Sequence, residues 1–297
     1  MSKLNLSNKC SSKISVYFRQ NANVSEFKNS ESWVVLSPIE KQIKEKIEQL
    51  GTPLKDWDIR INYGIKTGFN EAFIIDASKR KQLIDEDPKS EEIIRPILRG
   101  RDIKRYGYDF ADLWLINTHN GVKEKDVKRI EIDEYPSIKK HLDQYYLQLE
   151  KRADKGDTLY NLRNCAYMED FFRPKIIFQE MVQEPSFILD LEGKFMCLDT
   201  ARIITGSDIE VLICLLNSNL FFYSIKNFYG GGSLGESGVR MKHTFFQDFP
   251  APIFNNEQKD ELLTFMSTPT KGNIQKINEI IYSCFALNNE EIEIIES

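Results

Sequence analysis

Short apolar runs of strand type are interleaved with stripes of helical period, and no βαβ rhythm connects them. This irregular mixture is what most limits the fold, because a doubly wound parallel sheet needs regular alternation and a helical bundle has no strands. It leaves an α+β class. The helical stripes are explicit. Pro38 suits the first turn of a helix in which Ile39, Ile43, Ile47 and Leu50 share one face, and Gly51 and Pro53 end it. Lys79–Glu86 reads as helix, and Asp87-Pro88 as the start of a second short one ending near Arg95. Pro136 opens an amphipathic helix with Ile138, Leu142, Tyr145, Tyr146 and Leu149 on one side. Ser207 with Glu210 three residues on reads as a capping box for a helix carrying Ile209, Leu212, Ile213 and Leu216. A further helix is expected over Leu220–Phe228.

Strands are expected at Ile14–Phe18, Asp58–Asn62, Leu113–Ile116, Lys175–Gln179 and Ala201–Ile204, with a short apolar run at Ala72–Ile75. Phe187–Leu191 and Lys194–Leu198 flank Glu192-Gly193, which predicts a β-hairpin. The division expected is an irregular segment and connecting helix over 1–55, a central domain over 56–254, and an acidic helical segment over 255–297 beyond Pro250 and Pro252. The 297 residues suffice for a large core. The longest unbroken apolar run, Val211–Leu216, is six residues, against about 20 for a membrane span. Five cysteines without CxxC spacing, and no secretory leader, predict reduced thiols in a cytoplasm.

The net charge of −5 argues at first against a nucleic-acid partner. Beyond Phe254, however, three lysines face eight acids, which accounts for all of it and leaves a neutral body with basic patches. Lys66, Thr67 and Asn70 sit in a turn-rich stretch with two glycines, and offer donors to phosphates or base edges. Arg99, Arg101, Lys104 and Arg105 form a second patch, with an Arg–Asp surface network as its plain alternative. Arg152 and Arg163 bound a third turn-rich stretch, and Arg240 and Lys242 follow the glycine-rich loop Gly230–Gly238.

Other chemistries are less well marked. Gly230, Gly232 and Gly235 spell GxGxxG, but helix-like sequence precedes them where a dinucleotide site needs a strand. Glu192-Gly193-Lys194, with Asp170 upstream, has the residue types of a Mg-dependent nuclease, though a turn explains Glu-Gly equally well.

The segments INYGIKTGFNEAFIID, IIRPILRGRDIKRYGYD, YPSIKKHLDQYYLQLEKRADKGDTLYNLRNCAY, FFRPKIIFQE and LLNSNLFFY…DFPAPIF follow one another in this order. Together, from about Trp33 to Phe254, they resemble the TaqI-like C-terminal specificity domain of type IIG restriction–modification enzymes and related adenine-specific DNA methyltransferases. The last part also resembles type I specificity subunits. The resemblance implies a target-recognition domain, with a twisted mixed or antiparallel sheet and flanking helices, that lies along the DNA major groove and chooses the sequence. A separate domain would flip and methylate adenine with S-adenosylmethionine. The Asn-Pro-Pro-Tyr signature of that domain is absent here. The expectation is therefore a part that is non-catalytic by itself. Its partners would be double-stranded DNA and a methyltransferase or nuclease domain or subunit, which would carry the S-adenosylmethionine and Mg. No membrane partner is expected. The alternatives are the nuclease of Asp170, Glu192 and Lys194, and a protein-docking subunit using the helix Pro38–Leu50 and the acidic tail.

Overall fold

The computed structural model describes residues 36–230 and 238–297. The strand expected at Ile14–Phe18, and Gly232 and Gly235 of the glycine loop, lie outside the described residues. Two four-stranded sheets are built from β1 (Ile59–Tyr63), β2 (Ile74–Asp76), β3 (Ile94–Leu98), β4 (Leu113–Ile116), β5 (Lys175–Gln179), β6 (Phe187–Asp190), β7 (Met196–Cys197) and β8 (Ala201–Gly206). The α-helices of six residues or more are α1 (Pro38–Leu50), α2 (Ala77–Glu86), α3 (Pro136–Asp143), α4 (Tyr146–Lys151), α5 (Ile209–Leu216), α6 (Asn219–Ser224), α7 (Asn256–Met266), α8 (Lys271–Cys284) and α9 (Asn289–Glu296). Mixed and antiparallel sheets with flanking helices make this the α+β class.

The first sheet runs β6-β5-β8-β1, antiparallel throughout. The second runs β7-β3-β4-β2, antiparallel except where β7 joins β3 in parallel. Side chains alternate across a strand, and here that alternation separates two cores. Ile176, Phe178, Phe187 and Ile204 turn to one face of the first sheet, where Ile43, Ile47, Leu212, Leu262, Ile281 and Phe285 from the helices meet them. Ile177, Ile188, Ala201 and Ile203 turn to the other face, against Ile97, Leu98, Leu115, Ile138 and Leu142. The first sheet is thus a middle layer, covered on both sides. This is why β5 reads as an unbroken apolar run instead of an alternating one.

Several elements differ from expectation. The hairpin at Glu192-Gly193 does not form. Phe187–Asp190 pairs with β5, whereas Met196–Cys197 pairs with β3 in the other sheet, so the chain crosses between sheets at this corner. Asp190 is responsible. Its carboxylate accepts from the backbone N–H of Lys194 (3.0 Å) and Phe195 (2.8 Å), which folds the chain away before a second strand can pair. Gly193 then takes φ +63°, and a Cβ there would lie 2.4 Å from the Phe172 backbone. Gly193→Ala is expected to cost about 1–2 kcal/mol or more, since a left-handed residue and a backbone clash add. A lower urea midpoint at unchanged slope would register it.

The capping box at Ser207 is likewise replaced. β8 runs on to Gly206, opposite Ile59, so Asp208 (φ +53°) becomes the N-cap and Ser207 donates to the Asp58 carboxylate at 2.8 Å. The helix from Pro136 stops at Asp143 and restarts as α4, and α6 passes into a π-turn over Ile225–Tyr229. The elements considered for protein docking are in use inside the fold. Ile43 and Ile47 of α1 are fully buried in the helical core, and Lys46 reaches Glu291 of α9 at 2.6 Å. No single helix among the described residues is long and apolar enough to cross a membrane.

Candidate nucleic-acid interface

β1 ends at Tyr63, and the chain must then turn without a side chain. A Cβ on Gly64 would sit 2.0 Å from the Leu198 carbonyl oxygen, while the Gly64 N–H donates to Ala201 O at 3.0 Å. Ile65 is stitched to the neighbouring loop on both sides: its N–H donates to Cys197 O, and its carbonyl accepts from Asp199 N. Lys66 emerges exposed from this anchored turn.

Tyr63 pairs across the sheet with Arg202 of β8. The Arg202 guanidinium lies 3.8 Å from the Tyr63 ring centre, and His243 meets the ring edge-on at 5.8 Å. Beyond β5, Met181–Val182 pairs with Val239–Arg240. That small ribbon carries Arg240 to Glu180, with Nε 2.7 Å from Oε1, while Arg202 bonds the other carboxylate oxygen. Asp154 joins Lys66 (2.9 Å) to Arg163 (3.0 Å). These groups surround a cleft of about 700 Å³, lined also by Lys242, Asp199 and the Asn164–Tyr167 loop.

The electrostatics follow from this arrangement. Burial pushes the Glu180 carboxyl up, but the Arg240 and Arg202 guanidiniums outweigh it and hold it below the usual carboxylate range. The Lys66 ammonium, helped by Arg163, holds Asp154 low. Burial, with Arg202 nearby, lowers His243. The carboxylates thus stay ionised and organise the cations without cancelling all of them. Lys66 and Arg240 remain about half exposed beside their partners, and Arg163 slightly more so. For Lys242 the described residues offer a ring, that of Phe245 at 5.8 Å, and no carboxylate.

Of the residues nominated from the sequence, Lys66, Arg163, Arg240 and Lys242 come together here, from three separate stretches of chain. Thr67, Asn70 and Arg152 do not line the cleft. Thr67 is buried and donates to Asn70 Oδ1 at 2.5 Å. Arg152 is also buried and donates to the carbonyls of Thr67, Leu159 and Asn161, with burial pushing its guanidinium down to about 10. It ties loops together, and its Nη groups are occupied in doing so. Arg99 forks onto the buried Asp102, which is the surface network considered above. Gly100 in that turn packs on Gln179, next to Glu180, and Arg101 and Lys104 point outward there. Arg105 faces away and donates to Asn219 of α6 at 3.1 Å.

Tyr63, Glu180 and Arg202 were missed as site residues. Arg202 did leave a signal: a lone arginine inside an otherwise apolar strand has to be paired or functional. The nuclease alternative gains nothing from the geometry. Asp170 is buried and accepts from Asn62 at 3.0 Å, Glu192 is exposed, and Lys194 lies against the Phe195 ring. Among the described residues no group of three or more His, Cys, Asp or Glu side chains is placed to hold a metal ion.

No protein-family model matches the chain. Its fold is shared with part of a restriction–modification enzyme. The type IIL enzyme MmeI, solved in complex with DNA, superposes with a TM-score of 0.59 at 14% identity over 82% of this chain and 35% of its own. The type IIG restriction endonuclease BpuSI gives 0.48 at 13% identity over 84% of this chain and 34% of its own. The chain therefore spans about a third of the length of either enzyme. At these identities the likeness to MmeI is one of fold.

Proposed function

We propose that this chain is the DNA target-recognition part of a restriction–modification system, of the TaqI-like specificity type. It would bind duplex DNA through the basic cleft and take no part in catalysis by itself. The observation that carries this reading is the convergence of Lys66, Arg163, Arg240 and Lys242 on one cleft, although they are scattered over 177 positions of sequence. The fold shared with MmeI, an enzyme solved on DNA, supports it. The same reading assigns adenine methylation with S-adenosylmethionine, and Mg-dependent cleavage where present, to a further domain or subunit acting in the cytoplasm.

The test is titration of the chain with duplex DNA over a range of salt. Binding that weakens steeply as salt rises is expected, with a log–log slope of about −0.9 for each phosphate neutralised. Failure to bind any duplex at low salt, alone and with a methyltransferase partner supplied, would reject the reading.

A further inference from the structure

Arg202 stands apart from the other cations of the cleft. It is 3% exposed, the second residue of β8 and the one residue of that strand lining the cleft, whereas Lys66, Arg163 and Arg240 are about half exposed at its rim, with Lys242 beside them. Its Nη2 bonds Glu180, and its Nε and Nη1 have no hydrogen-bond partner among the described residues. A guanidinium has two double-donor edges, and both include Nη2. One bond to Nη2 uses one edge and leaves the other complete. An orphaned double donor on a buried charge is costly unless a ligand satisfies it.

Resting on the reading of the cleft as a DNA site, we infer that Arg202 reads a guanine, through the O6 and N7 acceptors of that base. Two features favour a base edge over a phosphate. Glu180 lies against Arg202, and a phosphate anion there would face its carboxylate, whereas a base edge is neutral. The rim cations already supply phosphate contacts farther out, so an anion need not reach the floor. Tyr63 completes the arrangement. Its ring, 49% exposed, covers the face of the guanidinium and is steadied by His243. A guanine held in the plane of Arg202 would extend that stack, with Tyr63 over both.

The full chain is to be incubated with short duplexes of randomised centre, and the retained molecules sequenced. Each guanine of the enriched duplex is then replaced in turn by 7-deazaguanine, which lacks the N7 acceptor. The expected result is one guanine at which this replacement weakens the wild-type protein roughly ten- to hundred-fold. Arg202→Lys should bind the parent duplex more weakly and be insensitive to the analogue at that position. An enriched sequence without guanine overturns the inference, as does one in which no analogue matters and Arg202→Lys weakens all duplexes evenly. Either result leaves the cleft as a DNA site. Retention of duplexes without enrichment at any salt overturns the inference alone, whereas failure to retain any duplex at low salt removes the reading of the cleft itself, and the inference with it. The analogue arm uses the unaltered protein, so it does not depend on how a variant folds.

Discussion

Replacing Lys175 with methionine is expected to destabilise the fold by about 3–5 kcal/mol, the cost of leaving a buried carboxylate without its counter-charge. Lys175 begins β5 and is wholly buried. Its ammonium lies 2.6 Å from Asp190 Oδ2 and 2.7 Å from the Phe171 carbonyl. The two residues are direct partners across β5 and β6. Burial pushes the amine down from its ordinary value, and Asp190 pulls it back. Asp190 also shapes the corner at which the chain changes sheets, through the N–H groups of Lys194 and Phe195. Losing the ammonium therefore strikes the pairing and the crossover together. Lys175→Met with Asp190→Asn should recover part of the loss, because the amide is neutral and still offers an acceptor to the corner. Urea unfolding of the two singles and the double gives the coupling directly. A single Lys175→Met variant within about 1 kcal/mol of wild type would show that the pair contributes no net compensation.

The second large effect concerns the rim of the cleft. Substituting Lys66, Arg163, Arg240 and Lys242 together by alanine is expected to weaken duplex binding by roughly two orders of magnitude or more at moderate salt, and to flatten the log–log salt dependence by about 3–4. Each of these cations that neutralises a phosphate releases about 0.9 of a counterion, so the change in slope counts them. Arg99→Ala and Arg105→Ala serve as controls. Arg99 is committed to Asp102 and Arg105 to Asn219, so neither should alter the slope. The surface pairs lost with the rim cations are half exposed and contribute about 0–1 kcal/mol each to stability, so the fold should survive. An unchanged slope in the fourfold variant would move the DNA-binding face elsewhere, with the outward-facing Arg101 and Lys104 the next to be tested.

Much of the local structure was legible because local rules govern it. The helix from Pro38 is closed at its start by Ser37 and Glu40 and faces the core with Ile43 and Ile47, as its spacing predicts. The strands at Leu113 and Lys175 fall where they were expected, and Asp87-Pro88 does open a helical turn. Where a tertiary partner competes, the local signal loses. Glu192-Gly193 has the composition of a hairpin turn, yet the buried Asp190 binds the following N–H groups and sends the chain into another sheet. Ser207 has the spacing of a cap, yet extra pairing of β8 with β1 postpones the helix.

The candidate site divides in the same way. Sequence alone determined the class of fold, the places where basic residues stand among turn formers, and the confinement of the net negative charge to the segment after Phe254. Tertiary structure decided which of those residues share a surface. Lys66, Arg163, Arg240 and Lys242 meet because β1, β8 and a two-stranded ribbon end at one place, whereas Arg105 is carried to the helical side and Arg152 is buried between loops. It also decided the role open to Arg202, which reads in the sequence as a polar interruption of a strand. Its single bond to Glu180, its cover by Tyr63 and its unpartnered donors arise only when strands remote in sequence are brought into register. The physical reason is the range of the forces involved. Capping, periodicity and turn chemistry act within a few residues and can be read along the chain, while burial and ion pairing depend on neighbours that folding alone brings close.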